Sequence, residues 1–270
     1  MDSTAHLAEK FHREGYLILD DCIPLPSLGS VKTLLSSSSA EIGKILRERG
    51  VGVGNVESFL AKPPADIDAS EFSELKALVS GNFPRNIKAH PALWELLGGE
   101  RLTSVLKRIL VAERLYLHMF PSPRHVAPSS TLAAVPRHVD RQYNGHMSNF
   151  VTVWVPIEAF SENMGGVRVF PKSHDVARNP EIDESARLEN DLWFAPIRSD
   201  LGDGVLATVT KGSALLLHRD LVHESALNLS GYVRLSADLR VFGDRDSTTK
   251  HYLDLQEKKI FEPLTGERHV

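Results

Sequence analysis

The sequence contains a single cysteine, Cys22, in 270 residues. An internal disulfide needs two cysteines, so a disulfide-stapled scaffold is excluded. No apolar run approaches the roughly 20 residues that a membrane-spanning helix needs. The amino-terminal stretch MDSTAHLAEKFHRE is too polar for a secretory signal peptide. We therefore expect a cytoplasmic protein with no membrane partner.

The sequence also lacks a large excess of positive or negative charge. The formal net charge is −4, and no long basic run is present. Nucleic-acid-binding surfaces and polybasic membrane anchors concentrate Lys and Arg, so neither is expected here. A small-molecule substrate is the favoured partner, and we expect a monomer or a homodimer. A chain of this length forms one sizeable core, so we expect a single domain over residues 1–270.

The hydrophobic pattern changes once along the chain. Residues 1–113 have the three- and four-residue spacing of helices at 5–14, 26–35, 70–79 and 91–111, with one strand at 15–19. From residue 114 to about 245 the period is two, in short segments: RLYLHMF, NFVTVWVPI, GGVRVFP, GVLATV, SALLLH and YVRLSADLRVF. This order predicts an α+β chain with a β sandwich or barrel. Two long loops, 121–137 and 175–203, are candidate lids.

The last of these segments alternates without exception. Its even positions are polar, namely Arg234, Ser236, Asp238 and Arg240, and its odd positions are apolar. A half-buried antiparallel strand normally turns its polar face to water, and the pattern alone favours that interpretation. The alternative places this face at a barrel mouth, where Arg234 and Ser236 would hold an anion by charge-assisted hydrogen bonds.

A histidine and a carboxylate stand two residues apart at His138 and Asp140. On an extended backbone these side chains point to the same face. A second histidine, either His218 or His223, would complete the two-histidine, one-carboxylate set of non-haem Fe(II) oxygenases. Because the chain has 12 histidines, the pair taken alone is more typical of a surface or structural contact.

Seven short motifs follow one another in a particular order. They are FHREGY at 11–16, His138-Val139-Asp140, the strand with Trp154, ENMGG at 162–166, VFPKSH at 169–174, His223 with Ser225, and Arg234 eleven residues after His223. In this order and spacing, and over nearly its whole length, the chain resembles the phytanoyl-CoA dioxygenase family of 2-oxoglutarate-dependent oxygenases. The family pattern selects His223 over His218, which lacks the following serine and the arginine at the family's interval. The chain departs from the family pattern at two motifs: it has ENMGG where the family usually has an ENG turn, and PKSH where the family usually has PGSH.

The resemblance implies a fold, a cofactor and a set of site residues. The fold is a double-stranded β-helix, a jelly roll similar to the cupins, with the mainly helical amino-terminal part packed against it. Fe(II) would be held by His138, Asp140 and His223. The far carboxylate of the co-substrate 2-oxoglutarate would be held by Arg234, Ser225 and Ser236, and O2 would be the second co-substrate.

The resemblance also implies a reaction. Such an enzyme oxidises, and most often hydroxylates, an unactivated C–H bond of a small-molecule metabolite, including those of secondary metabolism, while 2-oxoglutarate is converted to succinate and CO2. Asp140 argues against halogenation, because related halogenases have Gly or Ala at the carboxylate position. Two alternatives stay open: a cupin-like Zn(II) or Mn(II) hydrolase or isomerase, and a catalytically silent binding module. The paired Arg234 and Ser225 argue against the former, and the intact triad with Arg234 argues against the latter.

Other polar and aromatic residues near these motifs have simpler interpretations. Trp154 is expected to pack inside the barrel. Structural roles are expected for His118, His146 and His174. Residues beside the triad could contact a polar substrate, although arginines next to a loop are more typically solvated: Arg137, Arg141, Gln142 and Tyr143.

Overall fold

The computed structural model describes residues 3–48, 50, 77–78, 80–131, 133–159, 161–175, 197 and 200–263. The predicted helix at 70–79 and the candidate lid at 175–203 lie mostly outside these residues, so both stay predictions. No helix in the described ranges has the length and apolar character required to cross a membrane.

The amino-terminal part is mainly helical, as predicted. Its helices are α1 (Ser3–Glu14), α2 (Leu25–Ser37), α3 (Ser39–Glu48), α4 (Arg85–Lys88) and α5 (Glu100–Leu110). The predicted single helix at 91–111 is wrong in one respect, because a 3-10 helix (Pro91–Leu97) is separated from α5 by Gly98 and Gly99. A Cβ on Gly99 would collide with the carbonyl oxygen of Cys22, so the close approach of the two segments requires glycine at the break.

Eleven strands are present in the described residues. They are β1 (Tyr16–Leu19), β2 (Leu115–His118), β3 (Ser122–Val126), β4 (Val151–Pro156), β5 (Gly166–Val169), β6 (Val205–Leu206), β7 (Ala214–His218), β8 (His223–Ala226), β9 (Arg234–Gly243), β10 (Tyr252–Asp254) and β11 (Lys259–Phe261). The major sheet has the order β1-β7-β4-β9-β2-β10-β11, with β3 also paired to β9, and the minor sheet has the order β6-β5-β8. All pairs are antiparallel. The α+β jelly-roll fold is therefore confirmed, although the sheet also includes β1, β10 and β11, which lie outside 114–245.

The two faces of the major sheet bury different partners. Odd-numbered residues of β4 and β9, such as Val153 and Leu239, share an apolar cluster with Leu106 of α5 and Val31 of α2. Trp154 and the neighbouring inward residues of β7 pack instead against the minor sheet, as expected for a residue of the barrel interior. Each large apolar side chain buried in this way contributes about 1.5–3 kcal/mol. The helical layer thus covers the outside of the barrel and leaves its interior to the site.

The polar face of β9 points into the barrel. Arg234 is 4% exposed and Ser236 is 2% exposed, so the expectation that this face meets water is wrong and its placement inside the barrel is correct, whereas the binding of an anion there stays a proposal. Part of the interior is therefore polar. Those polar residues are covered by neighbouring strands rather than by solvent.

The loop at 121–137 is not simply a lid. Its first part forms β3, which pairs with the Arg234 to Asp238 segment of β9. Pro121 and Pro123 conceal this strand in the sequence, because proline cannot donate to a sheet ladder. In the described residues β3 pairs with β9 on one side and has only an isolated bridge, between Asn82 and Arg124, on the other, a position that tolerates Pro123.

Candidate metal and co-substrate site

Two histidines from distant parts of the chain meet at the minor sheet. His138 and His223 form an antiparallel bridge in which each backbone N–H donates to the other carbonyl at 3.0 Å. Their ring centroids are 4.2 Å apart. His138 is thereby fixed beside the first residue of β8, although it belongs to no strand itself.

Both rings are oriented by their own backbone. Nδ1 of His138 donates to the carbonyl of Pro136 at 2.7 Å, and Nδ1 of His223 donates to the carbonyl of Leu221 at 2.9 Å. A ring that donates from Nδ1 presents the lone pair of Nε2, which is the form that binds a metal ion. Burial lowers the pKa of His223 to about 4, so this ring is neutral near pH 7.

Asp140 completes the set from the first turn of a short 3-10 helix, Asp140–Gln142. Its Oδ1 lies 3.7 Å from Nε2 of His138 and 3.8 Å from Nε2 of His223. The three buried ligand atoms lie within 4.8 Å of one another. Both carboxylate oxygens also accept a hydroxyl hydrogen bond, Oδ1 from Tyr143 and Oδ2 from Thr152. The arrangement is a facial set of two imidazoles and one carboxylate.

An arginine on the major sheet stabilises the ionised form of Asp140. Nη2 of Arg240 lies 3.7 Å from Oδ1 of Asp140. Burial alone would raise the pKa of Asp140, but the positive charge of Arg240 holds that pKa well below its ordinary value. Asp140 is therefore an anion at neutral pH, as a metal ligand must be.

Arg234 lies further along the same strand. Its Nη1 donates to the carbonyls of Met164 at 3.0 Å and Ala226 at 3.4 Å, while its buried Nε has no hydrogen-bond partner among the described residues. Burial lowers the pKa of Arg234 to about 10, which still leaves the guanidinium charged at neutral pH. Ala226 is three residues after His223 on β8, so the guanidinium lies roughly 10 Å along the strand from the metal ligand.

The two serines lie in the same interior. Ser225 follows His223 by two residues on β8 and so shares its face, and it is half-buried. Ser236 is buried and lies opposite Pro156 of β4 and Arg124 of β3. All six residues predicted for metal and co-substrate binding therefore face one barrel interior, and their binding roles stay proposals.

The other histidines are placed elsewhere. His218 ends β7, and its ring lies 4.9 Å from that of His174 and away from the triad. Nε2 of His174 donates to the carbonyl of His12 at 2.8 Å. Nε2 of His118 and Nε2 of His146 share a hydrogen bond of 2.8 Å. The contacts of His174, His118 and His146 agree with the structural roles predicted for these three side chains.

The residues flanking the triad divide into two groups. Arg137 pairs with Glu224 at 3.1 Å and lies over the ring of Phe170, and the half-exposed Arg141 pairs with Asp220, so both are engaged at the surface. Tyr143 instead reaches the carboxylate of Asp140.

Sequence reasoning missed three contacts with Asp140, made by Tyr143, Thr152 and Arg240. Only the alternation of β9 pointed to one of them, since it places Arg240 on the same face as Arg234. Thr152 lies opposite Arg240 in the β4–β9 register, which the sequence does not specify. The hydroxyl of Tyr143 reaches Asp140 because the 3-10 turn reverses the chain.

Two histidines and a carboxylate inside a jelly roll match the facial ligand set of non-haem Fe(II) enzymes. The profile of the family described as phytanoyl-CoA dioxygenase (PhyH) matches residues 11–236, and the chain belongs to this family.

Similar proteins are found at low identity. A 1-deoxypentalenic acid 11-beta-hydroxylase from Streptomyces exfoliatus is 26% identical over 167 residues, which are 59% of this chain and only about half, 54%, of that relative. The non-heme monooxygenase ThoJ, solved as the apo protein, has a TM-score of 0.64 at 13% identity over 92% of this chain and 83% of its own. The epimerase SnoN, solved with Fe3+, alpha ketoglutarate and nogalamycin RO, has a TM-score of 0.55 at 15% identity over 91% and 86%. At these identities the two solved structures show a shared fold.

Proposed function

We propose that this protein uses Fe(II), 2-oxoglutarate and O2 to hydroxylate an unactivated C–H bond of a small-molecule metabolite, with 2-oxoglutarate converted to succinate and CO2. The observation that carries the proposal is the convergence of His138, Asp140 and His223 with Arg234 in one barrel interior. Iron, when bound, supplies the activation of O2 that is coupled to decarboxylation of the co-substrate. The chain supplies position and charge.

The donor set fits iron. Two imidazoles and one anionic carboxylate on a single face leave the other coordination positions open for a chelating co-substrate and O2. Hydrogen bonds to the carbonyls of Pro136 and Leu221 fix the two rings in the orientation that metal binding requires. The hydroxyls of Tyr143 and Thr152 hold the carboxylate of Asp140 in the same way.

The interior around Arg234 fits a dicarboxylate. A buried guanidinium with an unpartnered Nε offers a charge-assisted hydrogen bond to a carboxylate, and its planar fork matches both oxygens better than a lysine would. Ser225 and Ser236 are the hydroxyl donors that we assign beside it. A co-substrate that chelates the metal at one end would place its far carboxylate toward Arg234.

Hydroxylation is preferred over other outcomes of the same oxidant. The relative from Streptomyces is named a hydroxylase, whereas SnoN is named an epimerase, so proteins similar to this chain differ in reaction. The retained Asp140 opposes halogenation. Neither a hydrolytic Zn(II) or Mn(II) enzyme nor a silent binding module requires a buried arginine beside an intact triad.

Succinate release tests the proposal. Purified protein loaded with Fe(II) should release succinate from 2-oxoglutarate in air, and a panel of candidate metabolites should contain compounds that accelerate the release. Arg234→Ala should raise the KM for 2-oxoglutarate at least about 10-fold, the expected loss of one charge-assisted hydrogen bond, while Fe(II) still binds. Arg108→Ala removes an exposed arginine of α5 and should leave this KM unchanged. If Arg234→Ala behaves like the parent, the co-substrate assignment is wrong.

A further inference from the structure

The hydroxyl of Tyr143 contacts two of the proposed metal ligands. Its Oη lies 3.0 Å from Nε2 of His138 and donates a hydrogen bond to Oδ1 of Asp140. These are the two atoms that the site directs toward a metal ion. An ion bonded to Nε2 at about 2 Å, the usual length of a zinc–imidazole bond, would lie within about 5 Å of the phenol oxygen. The side chain of Tyr143 therefore stands next to the metal position.

The ring of Tyr143 is held in this place by its neighbours. Its centroid lies 5.6 Å from that of His138, and the guanidinium carbon of Arg240 lies 5.5 Å from it. An arginine at this distance is attracted to the ring by a cation–π interaction. The backbone N–H of Tyr143 also donates to the carbonyl of Asp140 at the end of the 3-10 helix. Backbone and side chain thus both keep the ring beside the triad.

The proposed reaction makes this position a reactive one. The oxidising equivalent produced at the metal reacts with a C–H bond held close to it, because proximity accelerates a reaction strongly. A bound substrate normally occupies this space and prevents side reactions. A phenol ring is electron-rich and is oxidised more readily than Thr152, another side chain whose hydroxyl contacts Asp140. Without a substrate, Tyr143 therefore presents an oxidisable ring to the metal.

We propose that Tyr143 is a site of oxidative modification: when no substrate is bound, turnover inserts one oxygen atom into its ring and converts the phenol to a catechol. This inference rests on the proposed function, which supplies the oxidant. A ring C–H bond next to the hydroxyl breaks, and a C–O bond forms with one atom of O2. The second atom of O2 enters succinate as CO2 leaves. The ring and 2-oxoglutarate each give up one electron pair, so O2 is fully reduced, and the displaced hydrogen ends on the new hydroxyl.

The catechol would itself bind the metal. It carries two adjacent hydroxyl oxygens, which chelate ferric iron, formed from Fe(II) in air, and give a visible charge-transfer band. Because Oη of Tyr143 already lies 3.0 Å from Nε2 of His138, the chelate forms beside the triad. Its two oxygens take coordination positions that the facial ligand set leaves open. Turnover without substrate therefore ends in a coloured protein that no longer accepts 2-oxoglutarate.

Turnover without substrate tests the inference. The full chain is loaded anaerobically with Fe(II) and 2-oxoglutarate and is then exposed to air with no other compound added. Peptide mass spectrometry locates any added oxygen, and succinate is measured in the same samples. Tyr143 should gain the mass of one oxygen atom, and the solution should develop a visible band that persists after 2-oxoglutarate is removed.

Other tyrosines of the chain serve as internal controls. Tyr232 is 76% exposed, so an oxidant that diffuses in solution would modify it at least as readily as Tyr143. The rings of Tyr116 and Tyr252 pack against each other, with centroids 5.2 Å apart. All three should stay unmodified. Tyr143→Phe should lose the visible band, and the matched Tyr232→Phe should retain it. Equal modification of Tyr143 and Tyr232, or an undiminished band in Tyr143→Phe, would overturn the inference.

Hydrogen peroxide separates the two proposals. Added to the Fe(II)-loaded protein without 2-oxoglutarate, it supplies an oxidant at the same metal, and the ring C–H bond and peroxide give the catechol and water. Succinate release without added oxygen on Tyr143 contradicts the modification and leaves the oxygenase intact. No succinate release, but modification by peroxide of Tyr143 and not Tyr232, contradicts the proposed reaction and supports Tyr143 as the residue oxidised at the metal. An unmodified Tyr143 under both conditions overturns the inference.

Discussion

His138 and His223 are hydrogen-bonded partners through their backbones, with both N–H···O distances at 3.0 Å. This pairing brings their rings together, and Asp140 follows two residues after His138. The geometry of the metal site is therefore set by strand pairing and by the peptide carbonyls that orient each ring.

The first prediction distinguishes the two candidate histidines. His223→Ala removes a proposed ligand. Mutation of a residue that only hydrogen-bonds to a metal ligand typically weakens metal binding 10–100-fold, so loss of the ligand itself should weaken Fe(II) binding at least about 100-fold. His218→Ala should bind Fe(II) like the parent, since its ring packs near His174 instead. Anaerobic titration calorimetry measures both. A loss of iron in His218→Ala alone would reassign the ligand.

The second prediction concerns Thr152, whose hydroxyl donates to Oδ2 of Asp140 from the central strand β4. Thr152→Val keeps the shape and leaves a buried carboxylate oxygen without this donor. We expect Fe(II) affinity to fall about 10-fold and the free energy of unfolding to fall by about 1–3 kcal/mol. Thr152→Ser restores a hydroxyl and should recover most of both, measured by calorimetry and urea denaturation. An undiminished iron affinity in Thr152→Val would remove Thr152 from the site.

The third prediction uses two glycines with left-handed backbones. Gly165 has φ +83°, and a Cβ there would collide with the carbonyls of Ala226 and Leu227 and lie 2.8 Å from Nη1 of Arg234. Gly202 has φ +70° with no atom within 4 Å of such a Cβ. Both alanine variants should lose about 1–3 kcal/mol from backbone strain. Only Gly165→Ala should also displace Arg234 and raise the Kd for 2-oxoglutarate, and equal Kd values would refute this.

The fourth prediction is a loss of stability in acid. Burial lowers the pKa of His118 to about 3 and that of His125 to about 4, from 6.5. Between pH 6.5 and about 4 the unfolded chain therefore binds protons at these two histidines that the folded protein does not. Their contribution to the free energy of unfolding is fully present above pH 6.5 and is lost as the pH falls toward 4. Each ring contributes up to about 1.4 kcal/mol per pH unit in this range.

Urea midpoints of the metal-free protein between pH 7.5 and 4.5 measure this decline. His125→Gln should reduce the slope by one proton, whereas His6→Gln replaces an exposed histidine of α1 and should leave the slope as it is. A slope that His125→Gln does not change would show that His125 titrates normally in the folded protein.

The change of hydrophobic period in the sequence predicts the fold class, and the spacing of the family motifs selects the three triad residues that the structure brings together. His138 and Asp140 are two residues apart on one extended segment, and the interval from His223 to Arg234 is a property of the chain alone. The alternation of β9 likewise identifies its two faces, but it does not indicate which face is exposed to solvent. That answer depends on the strands packed against it, which cover Arg234 and Ser236.

Contacts between strands were not predictable in the same way. The register of β4 against β9 places Thr152 opposite Arg240, and a shift of one residue would turn Thr152 to the other face. β3 has a proline and little alternation, so only its pairing with β9 reveals it as a strand. The sequence therefore shows the candidate ligands, and only the structure shows the charged, hydrogen-bonded interior around them.

The most direct test of the central claim is an anaerobic titration of the metal-free protein with Fe(II) and then 2-oxoglutarate, followed by visible absorption. Chelation of iron by the co-substrate should produce a weak metal-to-ligand charge-transfer band that requires both additions and is absent in His223→Ala. Fe(II) binding without a band on addition of 2-oxoglutarate would show a metal site with different chemistry and would contradict the account.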